Sequence, residues 1–166
     1  EREISFLVVG EGEQSTDIES RIYDKHLTNI RLLPLQPEEA LPQTLSAADV
    51  SIVTLKDGIE GLSFPSKTAY AMAGGSAIIV ISRGPNELTD LINQWECGFP
   101  VSPGDSKALT KAILTLSSKP KLLEQMKRNS RLAAGAIFSR KKTERYIQFF
   151  NQNEARDSTY PRHPQV

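Results

Sequence analysis

Five short runs rich in apolar residues, with helical patterns between them, restrict the fold of this chain more than any other feature. Ile4–Val9, Asn29–Leu33, Val50–Leu55, Ala77–Ile81 and Gly98–Val101 are each four to six residues long. Runs of that length suit strands, and the apolar character of Ile4–Val9 and Ala77–Ile81 suits strands covered on both faces. The first, stopped by Gly10-Glu11-Gly12, reads in this way. Ile18, Ile22 and Leu27 then recur at helical spacing behind Ser15 or Thr16 as candidate cap. Pro37-Glu38-Glu39 opens a helical segment with Leu41 and Leu45 on one side, kept short by Pro42. Pro65 and Ser66 start a helix through Met72 that stops at Gly74-Gly75, and Asn86-Glu87 leads into one ending near Glu96. Strands alternating with helices, joined by right-handed crossovers, predict an α/β fold with a doubly wound parallel sheet, Rossmann-like in class.

Beyond Pro103-Gly104-Asp105 the pattern is purely helical. Leu109, Ile113 and Leu116 mark one helix, Leu122, Leu123 and Met126 a second, and Tyr146, Ile147, Phe149 and Phe150 a third. These are read as extra C-terminal helices on the same domain, residues 1–150, with a polar tail over 151–166 left disordered. The aromatic-rich last helix is expected to be partly stranded if a neighbouring domain is missing.

Composition bounds the function. A chain of 166 residues with 39% apolar content supports one core. Twenty basic and twenty acidic residues cancel, so there is no global positive field to hold a nucleic-acid backbone. One cysteine, Cys97, excludes an internal disulfide, and His26 and His163 with it make a poor zinc set. No run reaches the length of a membrane span and Glu1-Arg2-Glu3 resembles no leader, so the chain reads as soluble.

Among the motifs, Gly10-Glu11-Gly12 lacks the third glycine of a dinucleotide fingerprint, and Glu11 and Glu13 repel phosphate, so an ordinary βα turn is favoured. No phosphate-binding Gly-x-x-x-x-Gly-Lys-Ser/Thr loop or Gly-x-Ser-x-Gly elbow occurs. Glu11, Glu13 and Asp57 fall short of the acid cluster of a receiver domain. The informative stretch runs from Asp57 to Lys67, Asp-Gly-Ile-Glu-Gly-Leu-Ser-Phe-Pro-Ser-Lys. A carboxylate in a glycine-flanked loop can accept from sugar hydroxyls, and the N–H groups opening the next helix can meet a diphosphate. Equally, Glu60 and Lys67 can point into water with Ser66 as a mere cap. Gly84-Pro85-Asn86-Glu87 offers a second phosphate-capable helix start with Arg83 beside it, or simply a capped helix.

Taken in order, Phe6–Gly12, Asn29–Leu33, Leu45–Val50, Glu60-Gly61, Pro65-Ser66-Lys67, Ala71–Gly75 and Gly98–Asp105 resemble the nucleotide-sugar-binding C-terminal domain of a retaining GT-B glycosyltransferase, of the family-4-like group 1 enzymes. The similarity runs from about residue 4 to 150. It implies transfer of a sugar from a nucleotide-diphosphate donor to an acceptor with retention, without metal or other cofactor. Glu60 matches the first glutamate of the family's paired-glutamate signature, which contacts the donor sugar, and is the catalytic candidate. The second glutamate, which holds the ribose, is replaced: spacing puts Thr68 or Tyr70 there, and Tyr70 is taken as the ribose contact. Leu33 and Leu35 lie on the segment that cradles the base, Ser66 and Lys67 meet the diphosphate, and Gly10, Gly12, Gly61 and Ser63 complete the donor-binding set.

The resemblance also implies parts that residues 1–166 do not supply: the domain's usual first strand, its phosphate-clamping Arg and Lys, and an N-terminal acceptor-binding domain. The chain alone is therefore expected to be inactive, part of a cytoplasmic enzyme of polysaccharide biosynthesis with or without peripheral attachment to a membrane. The rival is a non-catalytic module of the same fold kept for assembly or regulation with a partner chain. A sugar-nucleotide epimerase shares the scaffold but needs catalytic acids not found here.

Overall fold

A computed structural model describes residues 4–12, 14–37, 40–55 and 66–138. The elements, in order, are β1 (Phe6–Val9), α1 (Ser15–Asp24), β2 (Ile30–Leu33), α2 (Leu41–Ser46), β3 (Val50–Thr54), α3 (Ser66–Gly74), β4 (Ala77–Ile81), α4 (Glu87–Gln94), β5 (Gly98–Val101), α5 (Ser106–Ser118) and α6 (Pro120–Ile137). All strand pairs are parallel, as the alternation requires. The pairing runs in two groups, β1 with β2, and β3 with β4 and β5 in that order. The aromatic helix expected around Tyr146 and the tail from residue 151 lie outside the described residues.

Strand β4 is the centre of the core because it has a neighbour on each edge and helices on each face. Ala77, Ile78, Ile79 and Val80 are all buried, and each aliphatic side chain of that size contributes about 1.5–3 kcal/mol by leaving water. Strand alternation sends Ile78 and Val80 to one face, against Met72 of α3, Leu88 and Ile92 of α4, Cys97 and Ala133. Ala77 and Ile79 go to the other face, with Val101, Leu116 of α5, Leu123 and Met126. Helix α3 stops where expected: Gly75 takes φ +85, its N–H donates to Met72 O (3.0 Å), and Ser76 N–H donates to Ala71 O (3.1 Å).

Helix α6 serves both faces by passing beneath the amino ends of three strands. Lys127 Nζ reaches Asp49 Oδ1 at 2.7 Å just before β3, Asn129 Nδ2 donates to Glu96 O at 3.2 Å before β5, and Arg131 Nη2 donates to Gly74 O at 3.2 Å before β4. The carboxylate of Asp49 holds the Lys127 ammonium above its usual pKa of 10.5. That pair's contribution is complete at neutral pH and disappears as pH rises through the raised value; with Asp49 largely exposed it is worth under about 1 kcal/mol.

Two expectations need correction. Strand β1 is not covered on both faces: Leu7 is 50% and Val8 41% exposed, because the described residues leave each of its faces partly open. Helix α1 has no buried residue and neither Ser15 nor Thr16 caps it; Gln14 is the cap position and Ser15 is the first helical residue. Ser15 Oγ instead accepts the Gly12 N–H at 3.0 Å, which closes the turn after β1.

The thiol of Cys97 is fully buried between α4 and β5, and burial pushes its pKa up to about 11. Thiolate is then scarce at pH 8, and the sulfur is inaccessible. Native protein is expected to leave an aromatic disulfide reagent unreacted over hours, with one thiol released on addition of denaturant; rapid native reaction would mean that the core opens there.

Candidate functional site

In open parallel α/β folds ligands sit outside the carboxyl ends of the strands. Here α6 occupies the amino ends of β3, β4 and β5, so the opposite ends are the ones left for a ligand. Gly10 and Leu33 meet at the carboxyl ends of β1 and β2, where Gly10 N–H donates to Leu33 O at 3.0 Å. Gly10 has φ +136, a conformation that favours glycine, and a side chain there or at Gly12 would enter open space. The Gly12 N–H is already taken by Ser15 Oγ, so of the two it is the glycine less able to serve a phosphate. Leu33 is partly exposed and Leu35 is 72% exposed, an apolar surface at the edge of this end.

Glu60, Gly61 and Ser63 lie outside the described residues, as does the side chain of Ser66. What is described is the helix they lead into. Ser66 opens α3, whose first N–H groups have no intrahelical acceptor. Lys67 is exposed in that first turn, and Tyr70, 55% exposed, follows three residues later on the neighbouring part of the same face. Thr68 is different: it is fully buried, and its Oγ1 has no hydrogen-bond partner among the described residues. Of the two residues that spacing offered in place of the ribose-binding glutamate, only Tyr70 is accessible to a ligand.

The second candidate phosphate site does not stand. Asn86 Oδ1 accepts from both Leu88 N–H and Thr89 N–H at 3.1 Å, and Thr89 Oγ1 in turn accepts the Asn86 N–H at 2.8 Å. This capping box uses the amides that an anion would need. The Asn86 amide also donates to Ser82 Oγ at 3.0 Å, tying the helix start to the carboxyl end of β4. Asn86→Ala is expected to lower stability by about 1–2 kcal/mol, read as a lower urea midpoint at unchanged slope.

Two surface hollows among the described residues run along α5 at Lys107, Lys111 and Leu114, and between Gly75 and α6 at Arg128, Arg131 and Leu132. The second lies at the amino end of β4, beside Gly75. No helix of the described residues is long and apolar enough to cross a membrane.

Comparison with known proteins gives this geometry a setting. A family model described as glycosyl transferases group 1 matches residues 1–133. The probable glycosyltransferase WbjE of Pseudomonas aeruginosa is 27% identical over 109 residues, covering 66% of this chain and 27% of that protein. Among solved structures, Anabaena Alr3699/HepE in complex with UDP-glucose superposes with a TM-score of 0.76 at 19% identity, over 92% of this chain and 42% of that one. Sucrose-phosphate synthase from Thermosynechococcus elongatus gives a TM-score of 0.73 at 23% identity, over 91% and 39%. The chain thus spans under a third of the curated relatives it matches and about two fifths of those structures.

Proposed function

The chain belongs to the glycosyl transferases group 1 family, and from that premise we propose that it is the donor-binding portion of an enzyme that moves a sugar from a nucleotide-diphosphate donor to an acceptor, with retention. The acceptor would be held by a domain outside residues 1–166, and the parent enzyme would work in polysaccharide assembly, in the cytoplasm or against a membrane surface. The observation that carries the reading is the opening of α3, with Lys67 and Tyr70 exposed on its first two turns, directly after the Glu60-bearing stretch of the sequence.

In this reading the diphosphate meets the α3 amides and the Lys67 ammonium, both of which favour negative charge. These groups interact more strongly as charge develops on the departing diphosphate, the condition for lowering a barrier. No metal enters the proposal. Glu60 accepts from the sugar hydroxyls and fixes the donor's orientation. Tyr70 lies against the ribose, a contact of stacking and one hydroxyl rather than a carboxylate's two acceptors. Leu33, Leu35 and the Gly10 backbone take the base.

Calorimetric titration of the whole protein with UDP-, GDP- and ADP-sugars tests this. One donor class is expected to bind with micromolar to millimolar affinity, and Lys67→Ala to weaken it about 10-fold by removing a charge-assisted contact. Absence of heat with every member of the panel at millimolar concentration would leave the non-catalytic module as the better account.

A further inference from the structure

A net charge of zero conceals a segregation of charge along the chain. Residues 1–105 hold seven basic and sixteen acidic side chains, residues 106–137 seven and one, and residues 138–166 six and three. The middle portion is α5, α6 and the single residue between them. Two helices therefore carry an excess of six positive charges, against an excess of nine negative charges on the part that precedes them. Separation of this kind produces a local field that the sum does not record.

That field falls on an exposed surface. Helices α5 and α6 lay Ala112, Leu116, Leu123 and Met126 on one layer of the core, so their opposite stripes face away from it together. On α5 the outer stripe is Lys107, Lys111 and Leu114, spaced i, i+4, i+7, and Leu114 is 55% exposed. On α6 it includes Lys121, Arg128 and Leu132, the last 65% exposed. Each helix thus repeats the same combination, cations around an uncovered leucine. The one carboxylate of α6, Glu124, lies 3.5 Å from Lys127, which also reaches Asp49. Among the described residues, Lys107, Lys111, Lys119, Lys121 and Arg128 have no carboxylate partner.

Two observations narrow the partner. The hollow along α5 is lined by residues of that helix alone, so it is an open face suited to a broad surface rather than an enclosure for a small anion. Contact with a nucleic-acid backbone takes charge and has no use for the leucines. A bilayer takes both, since headgroup phosphates meet ammonium and guanidinium groups and the acyl boundary accepts aliphatic side chains. We infer that the outer face of α5 and α6 docks the protein on a bilayer of anionic phospholipid. The same bilayer repels the acidic portion over residues 1–105, which decides the side of the domain that turns toward it. Because α6 lies at the amino ends of β3, β4 and β5, attachment there leaves their carboxyl ends open to a donor. This inference deepens the membrane-surface arm of the proposed function, on which it rests for its setting, and it uses none of the donor-binding residues.

Vesicle flotation of the whole protein tests it. Binding is expected to phosphatidylcholine vesicles carrying about 30% phosphatidylglycerol, to be about 10-fold or more weaker on phosphatidylcholine alone, and to fall steeply between about 0.1 and 0.5 M salt. Lys107→Gln with Lys111→Gln is expected to weaken it about 10- to 30-fold, and Leu114→Ser with Leu132→Ser about 10-fold. All four side chains are exposed, so the melting midpoint is expected to stay as in the parent. Absence of binding to the anionic vesicles, equal binding to the neutral ones, or full binding by the lysine variant overturns the inference. Full, salt-sensitive binding by the leucine variant makes the surface a site for charged polymers in general and overturns it as well. A mass that rises with concentration at low salt, and no longer does so in the lysine variant, assigns the basic layer to the acidic portion of a second copy and overturns it too. Donor titration on the same samples reads separately, so either proposal can fail alone.

Discussion

Gly98→Ala is expected to abolish cooperative folding or to lower the unfolding midpoint by about 10 °C or more, the effect of a loss near 4 kcal/mol on a domain of this size. Gly98 stands opposite Ile78 in the parallel ladder between β4 and β5. A Cβ there would lie 1.7 Å from Ile78 O and 2.7 Å from Ile78 C. Both are backbone atoms of the most buried strand, so no flexible side chain can move aside. Accommodation requires β5 to separate from β4, which breaks Ile78 N–H to Cys97 O (3.0 Å) and Ser82 N–H to Val101 O (3.1 Å) and opens both faces of the core. Set against a typical total stability of about 5–15 kcal/mol, that loss is large. Gly135→Ala on α6 is the control: among the described residues nothing outside the helix backbone lies within 4 Å of its added Cβ, and it is expected to be neutral or to gain about 0.5–1 kcal/mol of helix propensity. Circular dichroism melts of the two variants decide the matter; a Gly98→Ala midpoint within 2–3 °C of the parent (~1 kcal/mol) would mean that the strands yield far more readily than their burial indicates.

On the proposed donor reading, Glu60→Gln in the whole protein is expected to weaken the nucleotide sugar by about 10- to 100-fold, while the bare nucleotide diphosphate binds as before. Replacing the carboxylate leaves an acceptor of similar shape and removes its charge, and hydrogen bonds to charged groups contribute about 1.5–3 kcal/mol. The loss falls only on the part of the ligand that carries sugar hydroxyls, so the two ligands separate a sugar contact from general damage to the site. Lys67→Ala should show no such selectivity, weakening both ligands alike. Equal affinity of wild type and Glu60→Gln for the nucleotide sugar would remove Glu60 from the site.

The central elements could be read from residue order because local chemistry is sufficient for them. Ala77–Ile81 has no polar position to turn toward water, and its observed span is the expected one. Gly74-Gly75 stops α3 because the second glycine takes a positive φ that other residues resist. The family landmarks were legible for the same reason: they are contiguous motifs whose order survives without any neighbour in space.

Other features depend on partners distant in sequence. The apolar pattern of Phe6–Val9 expresses a capacity to be covered on both faces, and the exposure of Leu7 and Val8 among the described residues depends on atoms that the pattern does not name. Thr68 and Tyr70 sit two residues apart on one helix, and either could replace an acid by counting; only the packing of α3 buries the first and exposes the second. Lys127, Asn129 and Arg131 look like an ordinary solvated stretch of α6 until the helix passes under β3, β4 and β5. Periodicity states which side chains prefer to leave water. What they meet there depends on the whole chain's closure, because burial and pairing are properties of two surfaces and a linear pattern describes one.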